Sequence, residues 1–273
     1  MATLLLVHAH PDDEVISTGG IMLRAHRDGH RVVLVTATRG EEGEIFVYDP
    51  VTTRPRLGEV RVEELRRAGE VLGVDRQELL GFRDSGMAGE PSNDAPDSFH
   101  SAPLAVAAER LAVVLREERP ALVVTYTADG TYGHPDHIRA HETTEAALDL
   151  LRDEGWEPAH CYQHAIPASV AALARERFRD QPGADDPSRQ LRGTPDEQIT
   201  ARVDVRDLVG EKRRALACHV SQIDPHGPWG TANTTHPTET MADQIFETAL
   251  GWEHFVRTRG TGGPEGTVRT LLT

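Results

Sequence analysis

The chain has little cysteine and no long apolar run. Its two cysteines, Cys161 and Cys218, lie outside any Cys-x-x-Cys spacing, so they predict neither a disulfide framework nor a thiolate metal site. We expect two free thiols, with a single disulfide as the alternative. No apolar segment approaches the ~20 residues of a membrane span, and residues 4–7 lack the length and basic flank of a secretion signal. These absences favour a cytoplasmic protein without a membrane partner.

Positive charge is also scarce. The 273 residues include 29 Lys and Arg against 44 Asp and Glu, which gives a formal net charge of −15. This charge repels phosphate backbones, so we expect no nucleic-acid partner and favour a small neutral substrate. The length suits one α/β domain with insertions. We expect a single domain over residues 1–273, with a core at about 1–160 and a cleft-forming C-terminal part at about 161–273.

Short apolar runs alternate with amphipathic segments along the first two thirds of the chain. We predict strands at residues 3–8, 31–38, 79–82 and 122–126, and helices at residues 18–28, 60–72, 104–118, 138–153, 168–179, 209–220 and 241–250. Residues 181–197 and 224–237, rich in Pro and Gly, are predicted loops. The alternation predicts an α/β, Rossmann-like fold with a mostly parallel sheet flanked by helices and a loop-rich C-terminal portion that shapes the cleft.

Histidines and carboxylates follow two of the predicted strands. The first cluster is His10, Asp12, Asp13 and Glu14, and the second is His134, Asp136 and His137. Because ligands of open α/β sheets collect at the carboxyl ends of strands, we expect both clusters to share one pocket. Taken singly, an aspartate here would more often cap a helix, Glu14 would suit a first helical turn, and a histidine would more often be a core or surface residue. The clustering favours a site.

The first choice for this site is a catalytic zinc ion. Such an ion commonly has three ligands drawn from His and Asp or Glu, with a fourth position open to water. His10, Asp13 and His137 can supply this set, and the i, i+3 spacing predicts His10 and Asp13 on one side of a helical turn. Fe²⁺ or another divalent ion is the alternative, since these donors accept several metals. Asp12 is then left as the candidate general base beside an activated water.

Hydrolysis of an amide needs further groups around such an ion. The tetrahedral intermediate needs donors for its oxyanion and a proton for the departing amine. Tyr132 and His134 are the candidates, because they are close in sequence to the ligand His137. Asp136 is expected to orient one of the imidazoles as a hydrogen-bond acceptor.

The two clusters resemble the signature motifs of a known superfamily. The segments Ala9-His10-Pro11-Asp12-Asp13-Glu14 and His134-Pro135-Asp136-His137 look like those of the LmbE-like, or PIG-L, zinc N-deacetylases. The resemblance implies that His10, Asp13 and His137 bind zinc and that Asp12 is the general base. It therefore implies the same roles as the residue types and their spacing.

Three segments, at residues 40–44, 83–89 and 132–137, are similar to the mycothiol branch of this superfamily, whose deacetylases act on N-acetylglucosaminyl-inositol. The resemblance implies that Arg61 and Asp84 contact sugar or inositol, that Tyr132 polarises the oxyanion, and that His134 donates a proton or stabilises the oxyanion. We also place Glu14 and Ser17 among the expected substrate-binding residues. The S-conjugate amidases of this branch have lysine at the position of Ser17, which favours a deacetylase.

Other functions stay open because the similarity is strong over about residues 1–150 and then fades, apart from residues 212–224. A mycothiol S-conjugate amidase, which residues 99–111 resemble more closely, is one alternative. A deacetylase of an antibiotic-pathway N-acyl sugar is another, and a non-catalytic sugar-binding protein is a third. A nucleotide-binding enzyme is disfavoured, because no Gly-x-Gly-x-x-Gly follows the first strand and the acidic cluster there would repel a pyrophosphate.

Overall fold

The structure is a computed structural model that describes residues 1–178, 190–225 and 250–272. Its strands are β1 (Thr3–His8), β2 (Arg31–Thr38), β3 (Arg76–Phe82), β4 (Leu122–Tyr126), β5 (His160–Ala165), β6 (Ala201–Asp204), β7 (Trp252–Arg259) and β8 (Gly266–Val268). Its α-helices are α1 (Asp13–Arg27), α2 (Pro50–Thr53), α3 (Leu57–Leu72), α4 (Leu104–Glu118), α5 (Gly130–Gly133), α6 (Pro135–Asp153), α7 (Ala168–Phe178) and α8 (Val209–Leu216). Most of the predicted loops at 181–197 and 224–237, and nearly all of the predicted helix at 241–250, lie outside the described residues.

The strands form one mixed sheet in the order β3-β2-β1-β4-β5-β7-β6-β8. The first five strands in this order, β3, β2, β1, β4 and β5, are parallel to one another. Strand β7 runs antiparallel to both β5 and β6. Side chains of a strand alternate between faces, so Leu4 and Leu6 of β1 join one buried apolar cluster while Leu5 and Val7 join the other. Helices cover both faces, as parallel sheets require. The prediction of a mostly parallel, Rossmann-like α/β fold is confirmed.

Four elements have the predicted bounds: β1, β2, α4 and β4. Helices α1 and α6 begin earlier than predicted, at Asp13 and Pro135, because their polar first turns lack the apolar periodicity by which a helix is recognised. Strands β5 to β8 were not predicted. β5, with the sequence HCYQHA, carries polar residues even though most of it is buried, so it lacks the apolar run of a buried strand.

In the part of the chain that the structure describes, no helix is both long and apolar enough to cross a membrane.

A buried ion pair joins helix α1 to the C-terminal part of the chain. Lys212 Nζ on α8 donates to Glu253 Oε1 on β7 over 2.6 Å, and both side chains are buried. The Glu253 carboxylate also accepts the backbone N–H groups of Gly20 and Ile21, at 2.6 and 2.9 Å. Separating such a pair would leave an uncompensated buried charge. The pair therefore holds α1, α8 and β7 together.

Candidate active site

The two predicted clusters meet at one edge of the sheet. Strands β1 and β4 are hydrogen-bonded neighbours, so the residues that follow them lie side by side. A cavity of about 390 Å³ opens at this edge. Seven of the predicted site residues line it: His10, Asp12, Asp13, Arg61, Asp84, Tyr132 and His134. His137 and Asp136 are buried behind its wall.

The carboxylate of Asp13 lies between two imidazoles. Its Oδ2 is 3.3 Å from His10 Nδ1 and 3.3 Å from His137 Nε2. The same oxygen accepts the backbone N–H of His10 at 2.9 Å and the hydroxyl of Tyr126 at 2.7 Å. The prediction that His10 and Asp13 share a helical turn is wrong, because His10 precedes α1 and Asp13 is its first residue. The Asp13 carboxylate instead folds back onto the His10 backbone.

The donor set fits a metal ion. The ring nitrogens of His10, His134 and His137 lie within 4.8 Å of one another. Among the described residues, neither ring nitrogen of His137 has a hydrogen-bond partner, although the ring is buried. His10 Nε2 donates to Asp136 Oδ2 at 3.3 Å, which leaves the lone pair of Nδ1 facing the Asp13 carboxylate. A cation would reconcile these two facing acceptors, either a metal ion between them or a proton on Nδ1.

The electrostatics of the cluster also favour a cation. Burial works to lower the pKa of His10, but the carboxylates of Asp84, Asp13 and Asp136 raise it well above its ordinary value. Burial likewise opposes ionisation of Asp13, yet the imidazoles of His137 and His10 hold its pKa well below the usual range. The negative charges here therefore attract a positive charge.

Asp136 contacts His10 and is not among the residues that line the cavity. Besides His10 Nε2, its carboxylate accepts the backbone N–H of Ser85 at 2.9 Å and the Ser85 hydroxyl in a short hydrogen bond. Asp84 Oδ1 lies 3.5 Å from the same His10 nitrogen. These contacts place Asp136 where the sequence analysis expected an acceptor that orients an imidazole.

Asp12 has an unusual backbone conformation. Its φ of 106° and ψ of −29° are disfavoured for any residue with a Cβ, at a cost of about 1–3 kcal/mol. Asp12 Oδ2 lies 3.1 Å from Arg61 Nη2, and the carboxylate lines the cavity. Burial raises the pKa of Asp12 to about 6, although the charge of Arg61 opposes this shift. Asp12 is thus a carboxylate at the cavity that does not belong to the Asp13 cluster.

Tyr132 and His134 lie against the imidazole cluster. The ring centroids of His134 and His10 are 4.5 Å apart, and those of Tyr132 and His137 are 4.9 Å apart. His134 Nδ1 accepts the backbone N–H of Asp136 at 3.1 Å, so the neutral ring must have its proton on Nε2. Burial, together with the charges of His10 and His137, lowers the pKa of His134 to about 2. Burial raises the pKa of Tyr132, so its hydroxyl stays protonated.

The four expected substrate-binding residues divide into two pairs. Arg61 and Asp84 line the cavity, but Arg61 directs donors to the protein itself, at Gly40 O (2.7 Å) and Pro11 O (2.6 Å). Glu14 and Ser17, both within the described chain, are not among the lining residues. Helix α1 carries them into the interior, where Glu14 is 0% exposed and pairs with His219. The structure therefore contradicts a substrate contact for Glu14 and Ser17.

Other residues at the site were missed by the sequence analysis. They are the lining residues Glu42, Glu44, Met87, Glu90 and Gln222, and the buried His219. Glu42, Glu44 and Met87 belong to segments already quoted for their resemblance, and Glu90 directly follows one of them, so the signal was present without a role for each residue. Gln222 and His219 come from the segment after α8, which sequence spacing cannot connect to residues 10–14.

The fold and the site together define a class: an α/β enzyme with a buried histidine–aspartate cluster, suited to a metal ion, at the carboxyl edge of its sheet. Residues 5–148 match the model of the PIG-L family, described as GlcNAc-PI de-N-acetylase, and the chain belongs to this family. The predictions of this superfamily and of an amide-hydrolysing enzyme are thereby confirmed.

Relatives match nearly the whole chain. The chain is 40% identical to a 1D-myo-inositol 2-acetamido-2-deoxy-alpha-D-glucopyranoside deacetylase of Acidothermus cellulolyticus, over 97% of this chain and 91% of the relative. It is also 40% identical to the enzyme of the same name from Thermobispora bispora, over 96% and 89% of the two chains. Both relatives extend beyond the range of the family model, so the likeness includes the C-terminal part.

Solved structures share the fold at lower identity. The N,N'-diacetylchitobiose deacetylase of Pyrococcus horikoshii aligns with a TM-score of 0.61 and 19% identity, over 94% of this chain and 84% of that one. GalB, the 4-carboxy-2-hydroxymuconate hydratase of Pseudomonas putida, aligns equally well, with a TM-score of 0.61 and 18% identity over 97% and 100% of the two chains. Since this fold supports both reactions, function has to be argued from the site.

Proposed function

We propose that this enzyme hydrolyses the N-acetyl amide of N-acetylglucosaminyl-inositol at a zinc site. The observation that carries the proposal is the placement of Asp13 Oδ2 3.3 Å from both His10 and His137, with Asp12 beside them at the cavity. Near-full-length relatives named as deacetylases of this inositol glycoside support the choice of substrate.

His10, Asp13 and His137 would hold the metal. Zn²⁺ is our first choice for imidazole and carboxylate donors, with Fe²⁺ or another divalent ion as the alternative. The bound ion would supply Lewis acidity, which favours deprotonation of a water molecule and polarises an amide carbonyl. Asp136 fixes the orientation of His10 through the hydrogen bond at Nε2, so that Nδ1 faces Asp13.

Asp12 is the proposed general base. Its carboxylate would take a proton from the attacking water and then hand it to the departing nitrogen, so that water and amide give acetate and a free amine. Burial brings the pKa of Asp12 to about 6, closer to neutral pH than that of an exposed aspartate. A base whose pKa lies near the operating pH is the more effective one.

His134 and Tyr132 would stabilise the developing oxyanion. Because His134 Nδ1 accepts a backbone N–H, the neutral ring has Nε2–H to donate. The Tyr132 hydroxyl, kept protonated by burial, is a second donor at the same wall of the cavity. Donors already in place before charge develops are an effective way to lower such a barrier.

The lining of the cavity suits a polyhydroxylated substrate. Glu42, Glu44 and Glu90 add carboxylates, and Gln222 adds an amide, to a wall that already has Asp84. Carboxylates accept hydrogen bonds from hydroxyl groups, so this wall can bind a neutral sugar or inositol. A deacetylase for another N-acyl sugar would use the same chemistry. The cytoplasmic location expected from the sequence stays a prediction.

The test is release of amine from N-acetylglucosaminyl-inositol by the zinc-loaded protein. Free GlcNAc and a mycothiol S-conjugate are run beside it, with Asp12→Ala as the control. Rapid release from the first substrate that depends on Asp12 is the expected result. Preference for the conjugate would make the protein an S-conjugate amidase. If metal binds but none of the three substrates is turned over, the proposal fails in favour of another N-acyl sugar or a binding role.

A further inference from the structure

The strained turn at Asp12 is held from inside the protein. The backbone N–H of Asp12 donates to Glu14 Oε2 at 2.8 Å. Without this acceptor, the N–H would be partly buried and unpaired. The hydrogen bond therefore helps to offset the conformational cost of a φ of 106° at a residue with a Cβ. Glu14 therefore acts on the backbone that aims the Asp12 carboxylate.

Glu14 is itself fixed by a residue from the other end of the chain. Its second oxygen, Oε1, accepts Nε2–H of His219 at 2.7 Å, and both side chains are 0% exposed. A glutamate that only caps a helix can stay in water and needs no buried partner. Burial of Glu14 with His219 fixes one carboxylate orientation, and this orientation points Oε2 at the Asp12 N–H.

The segment that carries His219 is anchored independently. Two residues further on, the backbone N–H and the hydroxyl of Ser221 both donate to the buried carboxylate of Glu64, at 2.8 and 2.7 Å. Glu64 lies on α3, and Gln222 then reaches the cavity. His219 is thus held against Glu14 by the fold as well as by the hydrogen bond between them.

We propose that His219 and Glu14 are positioning residues for the catalytic base, acting through the backbone conformation of Asp12. The inference rests on the proposed function, because it takes Asp12 to be the base. His219 orients Glu14, Glu14 holds the Asp12 N–H, and the left-handed turn directs the Asp12 carboxylate to the cavity. Neither residue touches the substrate.

The experiment compares three variants with the wild type. In the double variant Glu14→Leu/His219→Leu, both buried polar partners become apolar, so no buried charge is left unpaired and the protein should fold. We expect kcat to fall about 100-fold, the loss that a displacement of about 1 Å can cause, with KM and zinc content close to wild type. Glu14→Gln keeps an acceptor for the Asp12 N–H and should recover most of kcat. Ser221→Ala loosens the same segment without touching Glu14 and should have a much smaller effect.

Two further readouts separate positioning from general damage. Combined with Asp12→Ala, the double variant should lose no further activity, because the residue through which it acts is gone. A crystal structure of the double variant should show Asp12 out of the positive φ region. An equal loss of kcat in Ser221→Ala, an additional loss in the Asp12→Ala background, or an unchanged Asp12 φ would each overturn the inference.

The inference and the proposed function fail in different ways. If Asp12→Ala keeps full turnover, the assignment of Asp12 as the base is wrong. The Asp12 φ in the double variant still decides whether Glu14 and His219 hold the turn.

Discussion

Arg61 and Asp12 form an ion pair in the wall of the cavity, with Nη2 3.1 Å from Oδ2. The Arg61 side chain is 4% exposed, and its guanidinium also donates to Gly40 O and Pro11 O. One side chain therefore binds both the Asp12 carboxylate and the backbone carbonyl groups of Pro11 and Gly40.

Replacement of Arg61 by Gln should lower kcat while the metal stays bound. The Asp12 carboxylate loses its partner and shifts, and a displacement of about 1 Å can cost about 100-fold in rate. Arg61→Lys keeps the charge but not the fork of donors, so its kcat should be intermediate. Steady-state kinetics and zinc analysis of both variants make the test. A Gln variant that loses its zinc would contradict the assignment of Arg61 to Asp12.

Substitutions in the cluster should separate metal binding from turnover. Asp13→Ala and His137→Ala each remove a proposed ligand and should lose zinc and activity together. Asp12→Ala should keep zinc and lose turnover. A ligand that binds only the folded state adds about 2.7 kcal/mol of stability at 100 times its Kd, so zinc should raise Tm in the wild type and in Asp12→Ala only. Equal zinc loss in all three variants would reject this division of roles.

Gly20 on α1 has no room for a side chain. A Cβ at this position would lie 2.5 Å from Val205 Cγ1, and Val205 is itself buried in the core. We expect Gly20→Ala to lower the free energy of unfolding by about 1–3 kcal/mol, the usual cost of overpacking.

The matched control for Gly20 is Gly210 on α8, where a Cβ would meet no described atom within 4 Å. Gly210→Ala should raise the free energy of unfolding by about 0.4–1 kcal/mol, since it restricts the unfolded chain without a clash. Urea unfolding of both variants measures the difference. If the two substitutions have the same effect, the close contact between α1 and Val205 is not present in solution.

The buried His164 should make the protein less stable in acid. Burial lowers the pKa of His164 from 6.5 to about 3. The unfolded chain therefore binds more protons than the folded one between these values, and this contribution to stability is complete above pH 6.5 and declines as the pH falls toward 3. The slope is at most about 1.4 kcal/mol per pH unit.

The test for His164 is urea unfolding across this pH range with His164→Gln. The variant lacks the buried imidazole, so its free energy of unfolding should fall less steeply than that of the wild type. The exposed His100, changed to Gln, serves as the control and should leave the slope unchanged. Parallel slopes for His164→Gln and the wild type would show that His164 is not buried in its neutral form.

The sequence predicted the part of the site that lies close to two strand ends. His10, Asp12 and Asp13 follow β1 within five residues, and His134 and His137 follow β4 after the short helix α5. Because β1 and β4 are neighbouring strands, both groups lie at one edge of the sheet. The contact of Glu14 with His219 spans 205 positions and joins two fully buried polar side chains. Hydropathy and periodicity predict burial of apolar residues, and they carry no information about which buried charge meets which.

The same reasoning explains the error at Glu14 and Ser17. Both stand in or beside a signature motif, but α1 starts at Asp13 and turns them away from the cavity. The start of a helix decides which of its side chains face the cavity. A polar first turn has no apolar periodicity from which that start can be predicted. The single domain expected over residues 1–273 stays a prediction.

The match to the family model ends at residue 148, but helix α1 forms buried hydrogen bonds with residues beyond that point. Glu253 accepts two backbone N–H groups of α1, and Lys212 neutralises that carboxylate. A fragment trimmed to the family match would leave the inner face of α1 without these partners and Glu14 without His219. A fragment designed for crystallography should therefore extend past residue 253, so that α1 keeps these buried partners.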